Sequence, residues 1–262
     1  MCDTCGCNVT DGNRHLAEQR NAKGESAVTV LQGLLSENDR IAAHNREHLS
    51  RHGIVAINLM SSPGSGKTAL LERTIDELAG RWRIAVIEGD LETENDAERI
   101  RAKGVEAVQI TTGTACHLDA HLIHDALHRL DLSQLDLLFI ENVGNLVCPA
   151  SFDLGQHSNV TLLSVTEGDD KPAKYPVIFR AADAVILSKC DLLPHIEEFS
   201  PERARHAVQQ LAIAPPIIQL SAKTGEGFDN WLDWLEGQMT QHRPAPGQFR
   251  ALTASSSALT GC

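Results

Sequence analysis

Residues Ser61 to Thr68, S-S-P-G-S-G-K-T, directly follow the apolar run Ile54 to Met60 and precede a helix-compatible segment, Ala69 to Leu78. Strand, glycine loop and helix in that order make a phosphate-binding loop. Across Pro63, Gly64, Ser65 and Gly66 the two glycines allow a tight turn, so that backbone N–H groups converge on phosphate oxygens. Lys67 neutralises the outer phosphates, Thr68 offers a hydroxyl to Mg²⁺, and the positive end of the following helix adds to the anion site. Ser61 stands where the first glycine of such loops is usual.

Length and composition narrow the rest. A chain of 262 residues with 42% hydrophobic and only 4% aromatic residues has material for one aliphatic α/β core. The formal net charge of -12 argues against nucleic acid or an anionic membrane as partner, since both require clustered Lys and Arg. No apolar run approaches a membrane span, and M-C-D-T-C-G-C lacks the regions of a signal peptide, so a cytoplasmic location is expected. In that compartment the seven cysteines read as thiols or metal ligands.

After the first apolar run, short apolar stretches alternate with helical patterns: Ile84 to Glu88, Val105 to Ile110, Leu137 to Glu141, Val160 to Val165, Ala184 to Ser188 and Ile217 to Leu220. This alternation predicts a doubly wound, mostly parallel sheet of about seven strands, the α/β architecture of P-loop NTPases. Ligands then collect at the carboxyl ends of the strands. Val28, Leu31, Leu34, Leu35 and Ile41 recur at helical spacing ahead of the first strand, and Phe228 to Met239 predicts a last amphipathic helix. The chain therefore divides into a flexible cysteine-bearing tail (1–26), a nucleotide-binding domain with an N-terminal helix (27–243) and a disordered tail rich in Ser, Ala, Gly and Pro (244–262).

Later loops carry the nucleotide and metal chemistry. Ser188-Lys189-Cys190-Asp191 follows one strand and Ser221-Ala222-Lys223 the next. A carboxylate such as Asp191 can accept the two adjacent N–H donors of guanine while the Lys189 stem lies over the base, which makes GTP the expected nucleotide. These segments are similar to the N-K-x-D and S-A-K elements of GTPases, with Ser188 in place of asparagine. Glu141 ends a strand and Gly144 follows three residues later, the form of D-x-x-G, so Glu141 is a candidate Mg²⁺ ligand and Gly144 a candidate γ-phosphate sensor. Asp90 is the other candidate carboxylate near the metal, and Asp96 a candidate for orienting the attacking water.

Two groups of soft donors remain. Cys116-His117, placed at the start of a helix Leu118 to Leu130, and Cys148, seven residues past Glu141, fall on loops at one edge of the sheet, and thiolate with imidazole suits Ni²⁺ or Zn²⁺. Three ligands leave a site that a second chain can complete across a two-fold axis. Cys2, Cys5 and Cys7 form C-x-x-C-G-C, three thiolates that, with one further donor such as the terminal amine, suit square-planar Ni²⁺.

C-x-x-C-G-C, N-L-M-S-S-P-G-S-G-K-T, E-G-D-L-E-T, G-T-A-C-H-L-D-A, E-N-V-G-N-L-V-C-P, D-D-K-P-A-K-Y-P and S-A-K-T-G-E-G together resemble the HypB family of hydrogenase-maturation GTPases, nickel-incorporation proteins of the SIMIBI class. The resemblance covers most of the chain. It implies GTP hydrolysis, nucleotide-dependent dimerisation, a metal site at Cys116, His117 and Cys148, and delivery of nickel to the [NiFe]-hydrogenase large-subunit precursor with a partner resembling HypA. Some relatives store nickel on a histidine-rich stretch before the domain; here His15, His44 and His48 fall in that interval, too few for storage. The alternatives are a metal-storage or sensing module with a structural nucleotide switch, and a GTPase maturing another nickel enzyme such as urease, whose maturation protein lacks the N-terminal cysteine motif.

Overall fold

The computed structural model describes residues 27–90, 94–113, 116–211 and 215–243, with side chains from residue 32 onward. The cysteine motif at Cys2, Cys5 and Cys7 and the 244–262 tail lie outside the described residues. Seven strands form one sheet: β1 (Val55–Ser61), β2 (Ile84–Asp90), β3 (Glu106–Thr111), β4 (Leu137–Glu141), β5 (Ser158–Ser164), β6 (Ala184–Ser188) and β7 (Ile217–Gln219). Their order is β3-β2-β4-β1-β5-β6-β7, and every pairing is parallel. The helices are α1 (Ala27–Arg51), α2 (Lys67–Glu77), α3 (Asn95–Arg101), α4 (Ala120–Leu127), α5 (Lys171–Lys174), α6 (Pro176–Arg180), α7 (Pro201–Gln209) and α8 (Phe228–His242).

The strands alternate between two cores, as the two-residue period of a strand requires. Val55, Ile57, Leu59, Phe139 and Ile186 face α2, α3 and α8, where Leu71, Ile100, Trp231 and Leu235 are buried. Ala56, Ala85, Ile87, Leu138 and Ile140 face α1 and α4 through Leu49, Ile123 and Leu127. On the rest of that second face, Met60, Leu163, Val185 and Leu187 pack under α6 and α7. Trp231 is fully buried, and its indole N–H donates to Thr74 Oγ1 at 2.9 Å, so its polar edge is satisfied. None of the described helices is long and apolar enough to cross a membrane.

Two boundaries differ from the sequence expectation. The helix after the phosphate loop begins at Lys67, because Gly66 turns the chain at φ 96°. The helix expected over Leu118 to Leu130 spans only Ala120–Leu127, because the Asp119 side chain accepts the Leu122 N–H at 2.8 Å and caps it there. Cys116 and His117 thus lie in the loop ahead of the cap and outside the helix.

His157, at the approach to β5, ties the second face together. Its Nδ1 accepts the Ala56 N–H at 3.0 Å, and its Nε2 lies 3.2 Å from Ser50 Oγ. Burial, with His242 and Arg46 nearby, pushes its pKa down to about 4. The unfolded imidazole titrates at about 6.5, so this contribution is intact above that pH and is lost as pH falls toward 4, at about 1.4 kcal/mol per unit. Urea unfolding at pH 7.5 and 4.5 should show an excess loss of up to about 3 kcal/mol in wild type over His157→Gln; equal pH slopes would refute the assignment.

Candidate functional site

The phosphate loop, the end of β2, the end of β4 and the start of α3 enclose one cleft at the carboxyl edge of the sheet. Gly64 and Gly66 adopt φ 74° and 96°, a region that L side chains avoid, so the loop curls as its composition requires. Lys67 is buried, and its ammonium donates to Ser61 Oγ at 3.1 Å. Serine in place of the first glycine therefore serves as an acceptor for the loop lysine. Ser65 Oγ donates to Glu167 Oε1 at 2.5 Å, which fixes the loop to the segment after β5.

Opposite the loop, Thr68 Oγ1 donates to Glu141 Oε1 at 2.9 Å. Glu88, which the sequence reading passed over as a strand residue, stands beside Glu141 because β2 and β4 pair in that register. Glu88, Asp96 and Glu141 bring carboxylate oxygens within 4.8 Å of one another, and Asp90 lines the same cleft. Burial, then the Glu141 and Asp90 charges, push Glu88 up to about 8; burial pushes Glu141 to about 7 against the pull of Lys67 and Thr68. Oε2 of Glu88 and Oε2 of Glu141 are both buried with no hydrogen-bond partner. Crowded oxygens without donors are a hard-cation environment, so the donor set fits Mg²⁺. Asp96 accepts from Arg99 at 2.8 Å, and Arg99 also grips Glu72. Gly144 packs on the loop so closely that a Cβ there would lie 2.8 Å from Pro63 Cα.

A second cavity adjoins the first and is lined by Ser65, Gly66, Lys189, Asp191, Ser221, Ala222 and Lys223. The Asp191 carboxylate accepts from Ser221 Oγ at 2.7 Å, which orients it. Among the described residues Lys189 is the one non-glycine with positive φ, at 59°, and this strained turn lets its ammonium reach the Gly64 carbonyl at 2.6 Å. The Ser188 hydroxyl donates to the Ser65 carbonyl at 2.7 Å and binds the end of β6 to the phosphate loop. All the predicted nucleotide residues thus meet on one continuous surface.

Past the far side of β4, Cys116 Sγ lies 3.1 Å from Cys148 Sγ and 3.7 Å from His117 Nδ1. The His117 ring stacks on Phe152 at 3.9 Å, and burial lowers its pKa, so it is a neutral donor. Hydrogen bonding to Cys116 and burial raise the Cys148 thiol. Metal binding must then release that proton. Asparagines, which the sequence reading did not single out, hold the two loops together. Asn142 Oδ1 accepts the Leu118 N–H at 3.2 Å, and Asn145 Nδ2 donates to the Cys116 carbonyl at 3.4 Å.

Residues 55–218 match the family described as CobW/HypB/UreG, nucleotide-binding domain. The hydrogenase maturation factor HypB of Azotobacter vinelandii is 55% identical over 211 residues, covering 80% of this chain and 69% of that protein. The hydrogenase/urease maturation factor HypB of Helicobacter hepaticus is 45% identical over 241 residues, 90% of this chain and 98% of that protein. Among solved structures, HypB from Helicobacter pylori in complex with nickel superposes with a TM-score of 0.75 at 43% identity, covering 80% of this chain and 99% of that one. With the phosphate loop, the paired glutamates and the sheet order that joins them, the chain belongs to the HypB hydrogenase maturation factors of the CobW/HypB/UreG nucleotide-binding family.

Proposed function

We propose that the protein is a GTP-hydrolysing metallochaperone that carries nickel for maturation of [NiFe]-hydrogenase. The observation that supports this most is the adjacency of two sites: the strand and loop from Glu141 to Cys148 border the phosphate cleft at one end and supply a soft metal ligand at the other. In this reading the N–H groups of Gly64 to Thr68 and the Lys67 ammonium hold the phosphates. Lys189 and Asp191 recognise guanine, with Ser221, Ala222 and Lys223 closing the base pocket. Thr68 and Glu141, with Glu88 and Asp90 near them, hold Mg²⁺, which when bound neutralises charge on the phosphates. Asp96, held by Arg99, orients the attacking water.

Nickel is cargo, taken by Cys116, His117 and Cys148 and by the N-terminal Cys2, Cys5 and Cys7; Zn²⁺ fits the same donors. Three donors per chain leave the internal site open, so a homodimer formed with GTP and metal bound completes it. A partner resembling HypA and the hydrogenase large-subunit precursor receive the ion.

Guanine specificity tests the nucleotide half. In Asp191→Asn the side-chain amide meets guanine's N–H donors with an N–H of its own. GTP affinity should fall about 10- to 100-fold, the range for hydrogen bonds to a charged group, while xanthosine triphosphate binding improves. Fluorescent-nucleotide titration reads both; unchanged GTP affinity would remove Asp191 from the base pocket.

A further inference from the structure

The C-terminal ends of α1 and α4 present histidines to one another. His44 and His48 lie one turn apart on α1 and His52 follows at the same spacing just past its end, while His124 lies on α4 and His128 is that helix's C-cap. Ring centres are 5.3 Å apart for His44 and His124, 6.3 Å for His48 and His128, 5.0 Å for His48 and His52, and 4.7 Å for His124 and His128. We propose that this groove holds a further binding site for a borderline divalent transition metal ion, with His124 and His128 as its chelating pair and His48 as the third imidazole.

The protonation pattern carries the argument. Asn45 Nδ2 donates to the carbonyls of Ala120 at 2.8 Å and Leu154 at 3.2 Å, so the opposite end of that amide is an acceptor. Asn45 Oδ1 lies 3.1 Å from His124 Nδ1, which must therefore carry the ring proton. The Nε2 lone pair of His124 then points at His128 Nε2, 3.2 Å away. A histidine whose outer N–H is fixed on an amide or carbonyl while its other nitrogen faces a second imidazole is the arrangement of a metal ligand with its supporting shell. At metal–nitrogen distances of about 2.0–2.1 Å, two cis nitrogens lie about 2.9–3.4 Å apart. Ring centres of imidazoles bound cis on one ion then lie about 4.5 Å apart, close to the 4.7 Å between His124 and His128, and His48, its ring centre 6.3 Å from that of His128, joins the pair by a turn of its side chain.

A second observation is independent of that pair. His48 Nδ1 is buried and has no hydrogen-bond partner, a cost that a bound ion would remove. Burial, followed by the neighbouring imidazoles, lowers the pKa of both His48 and His124, so these rings are neutral and offer lone pairs near pH 7. On binding, the ion takes the place of the Nε2 proton of His128, which moves through solvent to that ring's Nδ1, so that both Nε2 lone pairs face the ion. None of these ligands belongs to the Cys116, His117 and Cys148 cluster, so the site stands or falls apart from the proposed nickel cargo site.

The test uses the full chain with Cys2, Cys5, Cys7, Cys116 and Cys148 all changed to serine, dialysed against NiCl2. One ion per chain should remain bound, and X-ray absorption should show imidazole scattering with no sulfur in the shell. Adding His124→Gln and His128→Gln should weaken that binding at least tenfold. No bound ion in the five-serine chain, a shell without imidazole, or unchanged affinity in a folded double-glutamine variant would each overturn the site. If the double variant does not fold, the absorption spectrum of the five-serine chain decides alone.

Discussion

Lys67→Ala should lower the turnover number for GTP hydrolysis by about 10²–10³-fold, the usual effect of removing one fixed group that stabilises transition-state charge. The reason lies in what surrounds it. Lys67 is the buried cation of a cleft whose opposite wall carries Glu88, Glu141, Asp90 and Asp96. In the absence of its charge the wall repels the incoming phosphates, and Glu141, which Lys67 draws toward ionisation, holds its proton more firmly. Lys67→Arg should recover little, because a planar guanidinium cannot replace a point charge seated 3.1 Å from Ser61 Oγ in a buried position. Single-turnover assays with saturating GTP separate this loss from weaker binding. Turnover within a few-fold of wild type would sink the assignment of Lys67 as the counter-charge.

What the sequence disclosed and what it concealed follow from locality. The phosphate loop was legible because its strand, glycines, lysine and helix are consecutive, and the strands were legible because each is a short apolar run bounded by polar turns. Asp191 and Ser221 could be read for the same reason, standing three and two residues past a strand end. Glu88 could not: it becomes a cleft residue only because β2 pairs with β4 in a register that sets it beside Glu141, and strand order is not written in any local pattern. Asn142 and Asn145 were hidden likewise, since their partners belong to a loop about 30 residues away. The α1 and α4 histidines are scattered in sequence, and helix packing alone gathers them. The one signal available was the spacing of His44, His48 and His52, which the count of histidines ahead of the domain understated.

The same long-range contacts make the coupling between nucleotide and metal concrete. Gly144 rests against Pro63 of the phosphate loop with no room for a side chain, and Asn142 and Asn145, on either side of it, hold the loop that carries Cys116. In the proposed function, a displacement of Gly144 on loss of the γ-phosphate would be transmitted in two directions, to Cys148 three residues beyond Asn145 and to Cys116 through the asparagines. Both thiols sit 3.1 Å apart, so a shift of one relative to the other changes the metal's coordination directly. Couplings of this kind are typically about 1–3 kcal/mol, or roughly 5- to 150-fold, and metal must alter nucleotide affinity by the same factor. Wild type should thus differ in Ni²⁺ affinity by that range between the GDP state and a non-hydrolysable GTP analogue. Cys148→Ala should still bind GTP, since its side chain touches no part of the phosphate loop's lining, yet lose most of the difference between states. Calorimetric Ni²⁺ titration of both proteins in both states checks this, with the reverse titration of nucleotide into metal-loaded protein as the reciprocal control. Identical wild-type affinities in the two nucleotide states would refute the coupling and leave two neighbouring sites that do not communicate.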